Sequence, residues 1–212
     1  MTNKFKAREA IARTIQIVLD NPKLVAMWCT LGLVTELAIL PYGGFATTRD
    51  FLLFFPAILI STAIYYYIAQ RMLSATGHPA DKSNVLAYLG ASILYGLIIG
   101  IGFIFLIIPG FILWARLSLF VPILLAEGKS VADLGSESWA RTSGNTSEIL
   151  LAYLPPFAML VPLWLISIVN PSLGASFDIF TAIFASLAGA YWFALTIALY
   201  ERFPAAADTA AA

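Results

Sequence analysis

The chain has one cysteine, Cys29, and one histidine, His78, among its 212 residues. A single thiol excludes an intrachain disulfide and any site built from several thiolates. A lone imidazole in a polar stretch leaves no histidine-based zinc centre. No metal and no cofactor are expected. Charge is scarce too: twelve basic and twelve acidic residues sum to zero, where soluble domains are about a quarter charged. Without a basic excess there is no electrostatic footprint for nucleic acid. The phosphate loop, the H-E-x-x-H zinc pair and the G-x-S-x-G nucleophile turn are all missing. "HPAD" at 78–81 reads as a polar turn, and the expectation is that this is not an enzyme. The charged opening, with no small-residue cleavage site after the first apolar run, does not read as a secretory signal.

What is abundant is apolar surface, at 60% of residues. So much cannot be hidden inside one globule of this size, so lipid must act as solvent, and the fold class is an all-α polytopic membrane bundle. A bilayer core takes roughly 20 apolar residues per helix, which gives six spans at about 23–42, 51–74, 85–108, 111–126, 146–169 and 177–200. "IPG" at 108–110 breaks the apolar run between spans three and four, either as a tight hairpin or as one long broken helix. The stretch from Val85 to Ala126 is about twice a membrane thickness, which suits two passes. Three parts result: an amphipathic surface helix over 1–22, a six-span membrane domain over 23–202 and a disordered tail over 203–212.

Lysine and arginine placement sets orientation. Lys4, Lys6, Arg8, Arg13, Lys23, Arg71, Lys82, Lys129, Arg141 and Arg202 all fall on one side of a six-span layout, against Arg49 alone on the other. The expectation is a multi-pass inner-membrane protein with both termini cytoplasmic. In the first surface helix, Phe5, Ile11, Ala12, Ile15, Val18 and Leu19 form an apolar arc opposite Lys6, Glu9, Arg13 and Asp20, suited to anionic headgroups. A second short interfacial helix lies between spans four and five. There Ser130 and Asp133 form a capping box and Gly144 a stop. Val131, Ser138, Trp139 and Thr142 share one face, and Asp133, Glu137 and Arg141 the other.

In lipid, helices meet through small residues at four-residue spacing. Ser92, Gly96 and Gly100 in span three, and Ala182, Ser186, Ala190, Ala194 and Ala198 in span six, are the expected contact stripes. Span five carries Pro155, Pro156 and Pro162 and is expected to kink or unwind. Tyr65, Tyr66, Tyr67, Trp28, Trp114 and Trp164 suit interfacial belts, and Cys29 a packing position. Glu127, Glu148 and Glu201 stand at span ends, within reach of water.

One charge stands out. Arg116 interrupts an apolar run, and a mid-membrane arginine costs about 2.5–3.5 kcal/mol on insertion scales. Glu36 is the acidic residue well inside span one. Counted from Pro41 and from Gly110, both charges lie roughly 8–9 Å below one surface, so an intramembrane Glu36–Arg116 pair is expected. Asp178 is the runner-up partner. Such a pair serves either to fix helices one and four or as a charged gate or headgroup site.

A wider pattern runs through the same region: Ile108-Pro109-Gly110, Arg116, Pro122, Glu127-Gly128, Ser138-Trp139 and Gly144-Asn145. It resembles a broad group of bacterial six-helix inner-membrane proteins. That group includes the membrane domain of some glycerophosphodiester phosphodiesterases and stand-alone relatives. The resemblance implies the six-span layout and no activity for the membrane part. Phosphodiesterase chemistry would require a separate barrel of about 250 residues. The expected role is non-catalytic: organising, accessory, or binding membrane lipids or a protein partner in the membrane. A carrier for a small molecule or lipid is the alternative.

Overall fold

The computed structural model describes residues 5–39, 48–105 and 107–204; the side chains at 36, 39, 48–54, 171, 175 and 176 lie outside the described set. Every regular element among the described residues is helical: α1 Ala7–Asp20, α2 Pro22–Ile39, α3 Thr48–Ala75, α4 Val85–Phe105, α5 Ile107–Arg116, α6 Phe120–Glu127, α7 Val131–Arg141, α8 Thr146–Val169 and α9 Gly174–Arg202. Four stretches are long and apolar enough to cross a membrane: Val85–Phe105, Ile107–Glu127, Thr146–Val169 and Phe177–Arg202. A fifth is admitted if α1 and the first part of α2, bent by 90°, count as one broken span. The tail beyond residue 204 lies outside the described residues.

α9 is the central post. Ala182, Ser186, Ala190, Ala194 and Ala198 are all buried along it. Small side chains there let α2 approach closely. A Cβ added at Gly32 would lie 2.6 Å from Ser186 Oγ, and one at Gly189 would lie 3.1 Å from the Trp28 indole nitrogen. Trp28 also stacks on Phe193 at 5.0 Å and packs on Tyr65 at 4.5 Å. Trp114 meets Tyr153 at 4.9 Å and Trp192 at 5.3 Å. These two tryptophans knit the interior rather than only lining a belt; Trp164 remains 45% exposed. α8 runs unbroken through Pro155, Pro156 and Pro162.

α4 and α5 form a tight hairpin, and its turn precedes the IPG sequence. Pro109 is the third residue of α5, where its missing N–H costs no helical bond. Gly110 sets the closeness of the hairpin. A Cβ there would stand 2.9 Å from the Phe103 backbone nitrogen, and one at Gly102 would lie 3.1 Å from the Gly110 Cα. The stripe expected on span three is not this contact: a Cβ at Gly96 or Gly100 meets nothing within 4 Å. α4 buries Tyr88, Ala91 and Gly102 instead, because its partners α3, α5 and α6 approach from that face.

α1 docks across the first turn of α8 and the last turns of α9, at what we term the terminal end of the bundle. Its buried face is Ala7, Ala10, Thr14 and Ile17, small residues that let it lie close. Ile15 and Leu19 from the expected apolar arc remain exposed. Arg13 donates from Nε and Nη2 to both carboxylate oxygens of Glu201, each at 2.7 Å. Arg202 pairs with Glu9 at 3.3 Å. The Ala7 N–H donates to Glu148 at 2.9 Å, and Phe5 packs on Phe203 at 5.1 Å. Glu148 and Glu201, expected to be answered by water, are answered by α1.

Candidate functional site at the broken fourth span

The helix that begins at Ile107 stops at Arg116 and resumes at Phe120. Pro122 accounts for the interruption. Proline lacks the N–H that would bond the carbonyl four residues earlier, at Ser118, and its ring collides with that carbonyl. The backbone tightens in response, and the Phe120 N–H donates to Leu117 O at 3.0 Å. The Arg116 carbonyl thus loses its helical partner, and the Leu119 N–H is left seeking an acceptor.

Ser138 of α7 satisfies both. Its hydroxyl donates to Arg116 O at 2.7 Å and accepts from Leu119 N–H at 3.2 Å. Thr142, one turn on, donates to the same carbonyl at 3.1 Å. Both residues are fully buried. α7 therefore mends the break that Pro122 creates, which is why a proline in one helix and a serine in another belong to one motif. The next residue, Trp139, places its ring under the Arg116 guanidinium, 5.1 Å from Cζ to the ring centroid. Arg116 Nε and Nη1 are buried and have no hydrogen-bond partner among the described residues.

The other end of α6 is a charged knot. Gly128 closes the helix with φ of +65°, the left-handed region that glycine enters freely. A Cβ there would also lie 2.8 Å from Lys82 O. Glu127 receives both terminal nitrogens of Arg141 at 2.7 Å and the Tyr200 hydroxyl at 2.9 Å. Arg141 also reaches Glu137 at 2.7 Å, and Lys129 bridges to Glu137 at 2.8 Å. Glu137 and Arg141, on the charged face of α7, are thus both held in ion pairs, and the Arg141 side chain is only 5% exposed. Hydrogen bonds from Lys129 and then Arg141 hold the Glu137 carboxyl below its ordinary value. Burial pulls the Arg141 guanidinium down, yet the bonds to Glu127 and Glu137 outweigh it and leave it raised. Ser130 caps α7, accepting from Asp133 N–H at 3.3 Å and donating to its carboxylate at 2.6 Å. Gly144, with φ of +80°, turns the chain into α8. There the Asn145 carbonyl accepts from Ile149 N–H at 3.0 Å, and the Asn145 side-chain amide donates to Ser143 O at 3.1 Å. Of the residues that form this knot, Lys129, Glu137, Arg141 and Tyr200 are not in the motif. The i,i+4 spacing of Glu137 and Arg141 was the available sign.

The expected Glu36–Arg116 pair falls partly outside the described residues, because the Glu36 side chain is not among them. Asp178, the runner-up, lies near the start of α9, fourteen residues before Trp192, whose ring meets Trp114, while Arg116 lies two residues beyond Trp114 toward the terminal end.

His78 stacks edge-on against Tyr200 at 5.3 Å, with Thr76 Oγ1 3.3 Å from Nδ1, so this turn packs on α9. Among the described residues no group of three or more His, Cys, Asp or Glu side chains could hold a metal ion. Comparison with protein-family models, with curated proteins and with solved structures finds no match to this chain.

Proposed function

We propose that this is a non-catalytic, multi-pass protein of a bacterial inner membrane that binds anionic lipid at Arg116 and uses the α1 and α7 surfaces to organise its surroundings. In this reading α2 and α3 each count as a pass, giving six, and the terminal end faces the cytoplasm, as the lysine and arginine distribution supports. α1 and α7 then lie along the cytoplasmic interface, with Ile15, Leu19 and Trp139 toward lipid.

The observation that carries the lipid assignment is the unanswered guanidinium. Arg116 is half-buried, and a guanidinium with two of its nitrogens buried and unpaired is disfavoured. Trp139 offsets part of the cost through its ring face, by about 0.5–2 kcal/mol, but it supplies no hydrogen-bond acceptor for Nε or Nη1. A lipid phosphate brings both charge and acceptor oxygens, in the geometry guanidinium prefers. Trp139, half exposed beside it, suits the headgroup level.

The test is native mass spectrometry of the full chain from mild detergent, comparing the parent with Arg116→Gln and Arg13→Gln. The expected result is an anionic phospholipid retained by the parent and by Arg13→Gln, and lost from Arg116→Gln. Equal retention by Arg116→Gln would remove the assignment.

A further inference from the structure

A second site stands apart from the charged knot and from Arg116. Where α2, α4, α8 and α9 converge on the break between α5 and α6, the bundle leaves a half-open cavity of about 230 Å³. Its walls include Trp28, Trp114, Trp192 and Phe193, together with Ser118 and Tyr153. We propose that this cavity binds the head of a neutral, membrane-soluble ligand: a flat ring carrying carbonyl oxygens, the chemistry of a benzoquinone.

Four features of the cavity narrow the ligand. Its volume exceeds the roughly 150 Å³ that accepts a benzene ring and falls below the roughly 300–1,000 Å³ of drug-sized pockets. One substituted six-membered ring matches that size, and a phospholipid headgroup with its glycerol does not. No charged side chain lines it, so a charged ligand would be desolvated without compensation. Its aromatic walls already meet one another edge-on and face-on, Trp28 with Phe193 and Trp114 with Trp192, and such walls favour another flat ring over a saturated chain.

The fourth feature is polar. The Ser118 and Tyr153 hydroxyls are buried, each residue is 2% exposed, and neither oxygen has a hydrogen-bond partner among the described residues. A hydroxyl left in this state costs about 1–3 kcal/mol. Each has a proton to donate, and each can turn about its own bond. Carbonyl oxygens on an otherwise apolar ring would accept both. Ser118 sits in the turn that Pro122 imposes, so the break in the fourth span also frees the hydroxyl that faces this need.

The probe is a benzoquinone bearing a ten-carbon tail, added to the detergent-solubilised full chain. Quinones quench indole fluorescence on contact, and the cavity has three indoles. Saturable quenching is expected, with the affinity reduced about tenfold in Tyr153→Phe and in Ser118→Ala, the loss of one hydrogen bond each. Both variants remove a hydroxyl that has no partner, so both should fold, with a melting temperature equal to or above that of the parent. The tail alone, as decane, should not compete. Absent saturation, unchanged affinity in both variants, or equal competition by decane would each overturn the proposal, the last by marking the cavity as a crevice for acyl chains.

Discussion

The two ends of the α4–α5–α6 arm are held by opposite means. At the hairpin, the sequence from Val85 to Ala115 has no lysine, arginine, aspartate, glutamate or histidine, and the helices are joined by glycine against backbone at Gly102 and Gly110. At the terminal end, Glu127, Arg141, Glu137, Lys129 and Tyr200 form a connected set of charged bonds. In an apolar solvent close backbone contact is the cheap way to join helices, since lipid competes poorly for dispersion contacts and hydrophobic driving force is absent. Near water and headgroups, charge can be carried, provided each group finds its partner. The arm therefore tolerates no bulk at one end and no missing charge at the other.

The most damaging way to break the comparison is at the charged end. Glu127→Gln leaves Arg141, almost wholly buried, with half its partners. Removing one member of a buried pair costs about 3–5 kcal/mol, and the partial exposure of Glu127 places this case near the lower figure. Thermal unfolding in detergent should show the loss. A restored melting temperature in Glu127→Gln/Arg141→Met would assign the cost to the orphaned arginine.

Next comes the glycine end. Gly110→Ala drives a methyl group into the Phe103 backbone and should cost ~1–3 kcal/mol. Gly96→Ala, on the same arm but facing open space, should be neutral or stabilising by up to about 1 kcal/mol through helix propensity. Equal effects of the two substitutions in a melting experiment would dissolve the distinction between a contact glycine and a free one.

A smaller effect belongs to the α1 clamp. Arg13→Gln breaks a bidentate but partly exposed pair with Glu201 and should cost no more than about 1 kcal/mol. Protease access to the 21–22 junction is a sharper readout than melting, and unchanged cleavage would show that the clamp does not hold α1.

The smallest effect is in pH. Because the Glu137 carboxyl is held below its ordinary value when folded, its contribution to stability is complete above the unfolded carboxylate value. That contribution is lost as pH falls through the lowered, folded value. Melting of the parent from about pH 6 to about pH 3 should fall more steeply than that of Glu137→Gln. Parallel curves would mean that Lys129 and Arg141 do not discriminate the charged form.

What could be read from the chain followed the strength of the local constraint. The small stripe on α9 was visible because close packing needs small residues wherever it occurs, and Ala190 and Ala194 are buried to 1% and 0%. The equally regular Gly96 and Gly100 face open space, since periodicity names a face and not the partner that covers it. The capping of α7 by Ser130 is local and was legible. The joining of Ser138 to Arg116 O spans 22 residues and depends on a break that only Pro122, read against Ser118, foretells. Arg116 was recognisable as a charge needing an answer. The start of α5 at Ile107 was not, because a proline and a glycine in its first turn look the same as a helix end.

The α1 clamp also imposes an order in time. Arg13 leaves the ribosome 188 residues before Glu201, an interval of about 10–40 s at roughly 5–20 residues per second. Through most of that interval α1 has neither Glu148 nor Glu201, and Ala7, Ala10, Thr14 and Ile17 lack the α9 surface they pack on. α9, the last of the described helices, supplies most of the surface they cover. α1 thus acts as a latch made well before its catch, and a chain in which α9 failed to pack would carry α1 unfastened, open to whatever surveys unfinished proteins.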